Sequence, residues 1–157
     1  MEIGTVEAPP LRGTVADMLE LKGRHVHVVG PKETVYEAIA KMDARRCGAL
    51  LVMEDDRLRG VISERDYTRR VILQGRASRE TRVEEIMTSE LVTVDSRTTL
   101  GQCLRLVTER GIRHLPVVDD GKVTGLVSIG DLVRAVVAQQ AETITSLKSY
   151  IGSDYPT

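Results

Sequence analysis

The sequence predicts an α+β fold of layered helices and strands, built from two copies of a β-α-β-β-α unit related by a pseudo-two-fold axis. Three observations predict it: a gapless internal repeat, the same apolar periodicity in both copies, and an apolar stripe after the second copy that predicts a long C-terminal helix. The chain has 157 residues, a length that suits one domain or two small units sharing a core.

The repeat is the strongest signal in the sequence. Residues 26–71 align with residues 91–136 at a shift of 65, and eleven of the 46 pairs are identical. A shorter preface, 15–19, resembles 83–87 at a shift of 68, so three extra residues fall before residue 26, around Gly23. A solenoid needs at least three repeats, so two copies indicate a pair sharing one core.

Each copy predicts the same elements in the same order. A short strand is followed by a helix that starts after Thr34 or Thr99, because its apolar residues recur at helical spacing behind an N-cap side chain. A hairpin of two apolar strands and a second helix from Ser63 or Ser128 complete the unit. The predicted strands are 26–29, 49–53 and 58–62 in the first copy, and 91–94, 115–118 and 123–127 in the second.

The polar segment 75–82 is the predicted linker. It divides a module spanning 14–151 into a first repeat, 14–74, and a second repeat, 83–151. Residues 1–13 and 152–157 are rich in Pro, Gly and polar residues and are expected to fray.

The C-terminal helix is predicted to be longer than its counterpart in the first copy, and one repeat is too short to cover its apolar stripe. The helix either packs back over its own domain or contacts a second copy of the chain, and spacing alone does not choose between them. The stripe consists of Val133, Val136, Val137, Ile144, Leu147 and Ile151.

Composition excludes several functions. The 22 basic and 23 acidic residues give a net charge of −1, which disfavours nucleic acids and anionic membranes as partners, and four Tyr are the only aromatic residues besides His. No apolar run is long enough to cross a bilayer, and no secretory signal is visible. Cys47 and Cys103 form no CxxC pair or disulfide framework. We therefore expect a cytoplasmic protein in a reducing compartment.

Two heptapeptides, Gly60-Val-Ile-Ser-Glu-Arg-Asp66 and Gly125-Leu-Val-Ser-Ile-Gly-Asp131, with Gly111-Ile-Arg-His-Leu-Pro-Val-Val118, resemble the CBS-domain pair, or Bateman module, over about residues 15–138. The resemblance implies a non-enzymatic sensor that binds AMP, ADP, ATP, NAD(H) or S-adenosylmethionine in two clefts between the copies. It also implies an unidentified regulated protein as partner, a homodimer, and no catalytic cofactor.

The Ser-x-x-Asp segment that ends each heptapeptide is first of all a helix cap, and a helix N-terminus also suits phosphate. The resemblance implies that Asp66 and Asp131 accept hydrogen bonds from ribose hydroxyls. It also implies that the first residues of the middle strand of one copy face the aspartate of the other copy. The first predicted cleft contains Gly60, Ser63, Arg65, Asp66, Arg113 and His114. The second contains Gly48, Ala49, Gly125, Ser128 and Asp131.

Arg113 and His114 enter the Asp66 cleft, so that cleft is predicted to be the better nucleotide site. The Asp131 cleft is left with two alternatives, a second nucleotide or only the nucleoside end of a longer ligand. Arg65 adds a cation there, where the second copy has Gly130, whereas Arg69 and Arg134 are interpreted as surface or interface residues. Each of these residues also has a structural interpretation, as a cap, a strand glycine, a solvated arginine or a half-buried histidine.

Alternative functions have weaker support. An enzyme acting on adenosine nucleotides would need a nucleophile, a base or a metal, and the sequence has no P-loop, GxGxxG or triad-like set. A structural dimerisation module with empty clefts is the main alternative. His25 and His27 lack the further ligands of a metal site. Cys47 lies beside the cleft segment, which leaves a redox role open.

Overall fold

A computed structural model describes residues 10–154, with side chains described as far as Ser149. Helices and short strands follow one another along the chain, and a π-helical turn, Thr68–Ile72, directly follows the third helix. In chain order they are α1 (Val15–Lys22), β1 (Val28–Val29), α2 (Val35–Arg45), β2 (Ala49–Glu54), β3 (Arg57–Ser63), α3 (Glu64–Tyr67), α4 (Val83–Ile86), α5 (Leu100–Arg110), β4 (His114–Asp119), β5 (Lys122–Ser128) and α6 (Ile129–Asp154).

The two sheets share one pattern, which confirms the predicted fold class. β2 pairs antiparallel with β3 and β4 with β5, in registers that correspond at the shift of 65. β1 is parallel to β2, whereas its counterpart in the second copy is a single parallel bridge between Val94 and Val117. The first strand of each copy is therefore shorter than predicted, because few of its backbone groups pair with the sheet.

Both hairpins turn through two residues in the left-handed region. Asp55 and Asp56 have φ of 49° and 61°, and Asp120 and Gly121 have φ of 49° and 75°. Two-residue turns with positive φ match the twist of antiparallel strands, and Asp and Gly tolerate that conformation. The charged segments between the strands are thus the tight turns that the sequence predicts.

The first helix of each copy packs against the other copy. Val15 and Leu19 of α1 are buried in a core made by the second copy, together with Leu115. Val83 and Ile86 of α4 are buried in the core of the first copy. The linker 75–82 separates the copies in sequence, but the apolar cores are divided differently because α1 and α4 are exchanged.

A third apolar cluster joins the copies. Its buried residues Ala49, Leu51 and Val61 come from the first sheet, and Val123 and Leu126 of β5 pack against them from the second. Burial of apolar surface on both sheets holds the two units face to face. Val61 and Leu126 of this cluster also line the cavity that contains Ser63 and Ser128, so the cavity lies at the edge of the interface.

Gly60 and Gly125 mark the places where the exchanged segments cross the strands. A Cβ atom on Gly125 would lie 2.7 Å from a methyl carbon of Leu19. A Cβ atom on Gly60 would lie 2.8 Å from both the Met87 sulfur and the Thr88 carbonyl oxygen. Only glycine permits this approach, so close packing accounts for the repetition of both residues.

Helix α6 leaves most of its predicted apolar stripe in solvent. Val133, Val137, Ile144 and Leu147 are 52%, 60%, 52% and 55% exposed, and the side chain of Ile151 lies outside the described residues. Leu132, next to the stripe on the side that faces the domain, is buried in the second core. Packing back over its own domain therefore does not cover the stripe.

The described part of the N-terminal segment is fixed to α6 rather than frayed. The backbone N–H of Arg12 donates to Gln139 Oε1 at 2.8 Å, and Gln139 Nε2 donates to the Arg12 carbonyl oxygen at 2.8 Å. Residues 1–9 and 155–157 lie outside the described residues. Within 10–154, no helix has the length and apolar character needed to span a membrane.

Candidate functional site

The predicted clefts open into one continuous cavity of about 940 Å³ between the two copies. Helix α3 starts on one side of it and α6 on the other, and the segments that open β2 and β4 lie between them. Eight of the eleven predicted site residues line it: Gly48, Ala49, Ser63, Arg65, Asp66, Arg113, His114 and Ser128. The structure differs from the prediction at Gly60 and Gly125, which contact the exchanged segments, and at Asp131.

Asp66 caps α3 and lines the cavity with the same carboxylate. Its Oδ2 accepts hydrogen bonds from the backbone N–H of Ser63 at 2.9 Å and the Ser63 hydroxyl at 3.0 Å, and its own N–H donates to Ser63 Oγ at 3.2 Å. Its Oδ1 accepts a long bond, 3.4 Å, from the Thr88 hydroxyl. Among the described residues Asp66 forms no ion pair, so Oδ1 has acceptor capacity for a ligand.

Asp131 makes the same cap but is neutralised from two sides. Lys22 Nζ lies 2.6 Å from Oδ2, and Arg134 Nη2 lies 2.7 Å from Oδ1. Burial by itself would raise the pKa of Asp131, but the bonds from Lys22 and from the Ser128 backbone outweigh it and leave the pKa lowered. The side chain is 8% exposed and does not reach the cavity surface because these cations cover it.

Cations dominate the cavity wall. Three carboxylates, Glu64, Asp66 and Glu90, face eight side chains with a permanent positive charge. Because the whole chain has a net charge of −1, this local excess marks the cavity as a place for an anion. The cations are Lys22, Arg45, Arg46, Arg65, Arg69, Arg70, Arg113 and Arg134.

Arg69 and Arg134, interpreted from the sequence as surface or interface residues, are exposed and also line the cavity. Each follows its aspartate by three residues, and their repetition at the shift of 65 was the signal that could have found them. Residues three apart on a helix are neighbours, and Arg134 uses this spacing to pair with Asp131. In the first copy Arg69 forms no such pair with Asp66.

The π-helical turn Thr68–Ile72 sets the first copy apart, since α6 continues as a regular α-helix at the corresponding place. Next to Arg69, Arg70 donates to the carbonyl oxygens of Ile86 and Met87 at 2.8 and 3.1 Å. Such turns recur at functional sites because they change where side chains point. The turn therefore lies in the Asp66 half of the cavity, where Asp66 and Arg69 are not paired with each other.

His114 lies between the two halves. Burial lowers its pKa and outweighs the opposing effects of Asp66 and Asp131, so the ring is neutral at neutral pH. It offers an N–H donor and a ring nitrogen acceptor, while Arg113 beside it provides the charge. The expected contribution of His114 to phosphate binding is thus a hydrogen bond.

Two histidines, His25 and His27, and Cys47 also line the cavity. His25 and His27 contact each other edge to face with ring centroids 4.7 Å apart, and the described residues contain no group of three or more side chains suited to a metal ion. Burial raises the pKa of the Cys47 thiol, which favours the protonated and less reactive form. Nothing at this cysteine supports the redox role left open by the sequence.

Two fused β-α-β-β-α units that exchange helices and enclose a cationic cavity define a paired regulatory module. The chain belongs to the CBS-domain family, whose family model matches residues 17–72 and 83–138. CBS-domain pairs are modules of the regulatory and signal-transduction type.

Known proteins extend this assignment. The chain is 40% identical over 151 residues to the mitochondrial CBS domain-containing protein CBSX3 of Arabidopsis thaliana, covering 90% of this chain and 73% of that protein. It is 36% identical over 107 residues to the CBS domain-containing protein YhcV of Bacillus subtilis, covering 68% and 76%. A solved structure from Burkholderia ambifaria, described as a candidate signal-transduction protein with CBS domains, has 46% identity and a TM-score of 0.78, covering 82% of this chain and 96% of that one.

Proposed function

We propose that the chain is a non-enzymatic sensor that binds an adenosine nucleotide, AMP, ADP, ATP or NAD(H), in the cavity and signals to a partner protein. The observation that carries the proposal is the Asp66 half, where a carboxylate without an ion pair lies in a wall rich in arginine. The carboxylate suits ribose hydroxyls, and guanidinium groups suit phosphates. We propose a cytoplasmic location for this function.

Two features of the wall favour a nucleotide over a simple anion. Apolar side chains from both copies, Val26, Leu91, Val92 and Ile112, line the same cavity and suit the faces of an adenine ring. The surplus of cations favours a ligand with more than one phosphate group, such as ATP, ADP or NAD(H), over AMP.

The location of the cavity between the two copies lets ligand binding act as a signal. Asp66 belongs to the first copy and Arg113 to the second, so a ligand that contacts both favours one relative arrangement of the copies. A ligand shifts such an equilibrium only by the difference between its affinities for the two arrangements. The partner protein then reads the arrangement that the nucleotide stabilises.

ATP is expected to stabilise nucleotide-free protein against heat. At a concentration 100 times its Kd, a ligand of the folded state adds about 2.7 kcal/mol, which corresponds to a rise in Tm of about 5–10 °C for a chain of this size. The measurement is a thermal-shift series with AMP, ADP, ATP, NAD+, NADH and GTP. Inorganic tripolyphosphate is the control for charge alone. An unchanged Tm with every adenosine ligand, or an equal rise with tripolyphosphate, would rule out the proposed sensor.

A second candidate, a structural dimerisation module, is favoured by the exposed stripe on α6. Val137 and Ile144 are seven residues apart, the repeat of paired helices, and both are exposed. We propose that this stripe pairs with the same stripe of a second chain. A homodimer is compatible with nucleotide sensing, so the two functions differ only in whether the cavity is filled.

Val137→Glu is expected to dissociate the proposed homodimer. A carboxylate placed in an apolar interface costs several kcal/mol, so the Kd of the dimer should rise on the order of 100-fold. Light scattering after gel filtration should then report a mass near 17.3 kDa in place of twice that value. Ser149→Glu, exposed on the face of α6 opposite the stripe, is the matched control and should leave the mass unchanged. A wild-type chain that is already monomeric would refute the homodimer.

A further inference from the structure

Lys22 forms an ion pair with Asp131, the carboxylate that would contact a ligand in the second half of the cavity. It lies at the end of α1, lines the cavity, and places Nζ 2.6 Å from Asp131 Oδ2 and 2.7 Å from the Leu126 carbonyl oxygen. The other oxygen, Oδ1, is bound by Arg134 at 2.7 Å. Both oxygens of Asp131 are therefore taken by groups of the protein itself.

The first half carries the opposite charge at the corresponding position. Val15 begins α1 and Val83 begins α4, a shift of 68 that places Lys22 opposite Glu90. Packing supports this shift, since Leu19 contacts Gly125 as Met87 contacts Gly60.

Glu90 lines the cavity and is exposed. A glutamate cannot neutralise an aspartate, so Asp66 has no counterpart of the Lys22 pair, and Arg69 does not repeat the Arg134 pair. The charge reversal between Lys22 and Glu90 is the difference that the sequence itself imposes, since the arginine is the same in both copies.

We infer that Lys22 closes the Asp131 half to nucleosides, so that each chain takes one nucleotide and takes it in the Asp66 half. The inference rests on the proposed function, because it concerns the same cavity. A ribose entering the second half would have to displace an ammonium group that already has a carboxylate and a carbonyl oxygen as partners. Lys22 is in this sense a specificity-determining residue that fixes the number of ligands per chain.

Equilibrium dialysis against ATP, with a nucleotide-free chain, tests the inference by counting bound molecules. The wild-type chain should bind one ATP per chain, and Lys22→Ser should bind two, because the shorter side chain frees Asp131 Oδ2 and Arg134, whose side chain is 74% exposed, can turn from Oδ1 to a phosphate. Lys41→Ser is the matched control: Lys41 also donates to a backbone carbonyl, that of Val28 at 2.8 Å, but does not line the cavity. The control should bind one.

The reverse substitution, Glu90→Lys, provides a second and independent test of the inference. Residue 90 is exposed, so this variant should fold, and its ammonium group should close the Asp66 half as Lys22 closes the other. We expect its affinity for ATP to fall at least 10-fold.

Each outcome decides the inference. Two ATP molecules on the wild-type chain, one on Lys22→Ser when circular dichroism shows that it is folded, or unchanged affinity in Glu90→Lys would overturn it while the proposed function stands. No ATP on the wild-type chain would overturn both. One ATP on the wild-type chain, two on Lys22→Ser and weakened binding in Glu90→Lys would establish Lys22 as the closing residue.

Discussion

Asp66→Asn is expected to weaken ATP binding by about 10- to 150-fold, because a hydrogen bond to a charged group contributes about 1.5–3 kcal/mol. The substitution removes the charge that ribose hydroxyls would contact and keeps the shape of the side chain. Asn also retains an oxygen for the cap with Ser63, so the fold should persist. Titration calorimetry with ATP measures the loss, and circular dichroism checks the fold.

Asp131→Asn is the matched control for this experiment. It changes the same type of residue at the same place in the second copy, where the carboxylate already binds Lys22 and Arg134. We expect a lower Tm, since two charge-assisted bonds are weakened, and little change in affinity for ATP. Equal losses of affinity in the two variants, or undiminished binding by Asp66→Asn, would contradict the assignment of the site to the Asp66 half.

Leu19→Ala is expected to destabilise the chain by about 2–5 kcal/mol, which lowers the Tm by about 5–15 °C. Leu19 is 1% exposed and lies in α1, whose apolar face fills the core of the second copy. Leu21, in the same helix but 92% exposed, is the matched control, and Leu21→Ala should cost less than about 0.5 kcal/mol. Urea denaturation measures both.

A second substitution shows whether the exchanged helix is the cause. Gly125→Ala places a methyl group 2.7 Å from Leu19 in the wild-type chain and should destabilise it by overpacking. In the Leu19→Ala chain the same methyl enters the vacated volume, so the double variant should be more stable than the sum of the single losses implies. Strict additivity would mean that α1 does not pack on β5 in solution.

The sequence predicts the repeated unit well because its signals are local. Thr34 and Thr99 are the expected N-caps, and Glu37 and Gln102 complete them as capping boxes, since each cap involves residues only three apart. The two hairpins follow equally well from apolar runs broken by Asp and Gly, whereas the first strand of each copy is shorter than predicted. The π-helical turn after Tyr67 has no local signature, and nothing in the sequence predicts it.

Long-range pairing is the part that sequence patterns do not determine. The apolar face of α1 predicts that the helix is buried but not which core receives it, since both cores are equally apolar. The ion pair between Lys22 and Asp131 depends on that exchange of helices, so the sequence does not predict it either. The sequence does contain one signal for this ion pair, the opposite charges of Lys22 and Glu90 at a shift of 68. The two residues lie three positions beyond the similar segments 15–19 and 83–87, so the similarity alone does not pair them.

The exchange of α1 and α4 has a consequence for the order in which the chain folds during synthesis. Residues of the first core come from one continuous stretch, 29–87, whereas the second core needs α1 together with residues 92–135. The first unit is therefore nested inside the second and has all its parts once residue 87 has left the ribosome. Helix α1 emerges earliest, yet it has no core to join until α5 and the last hairpin follow. Asp66 and its cap with Ser63 thus take their places first, whereas Arg113, His114 and the contact between Lys22 and Asp131 complete the cavity last.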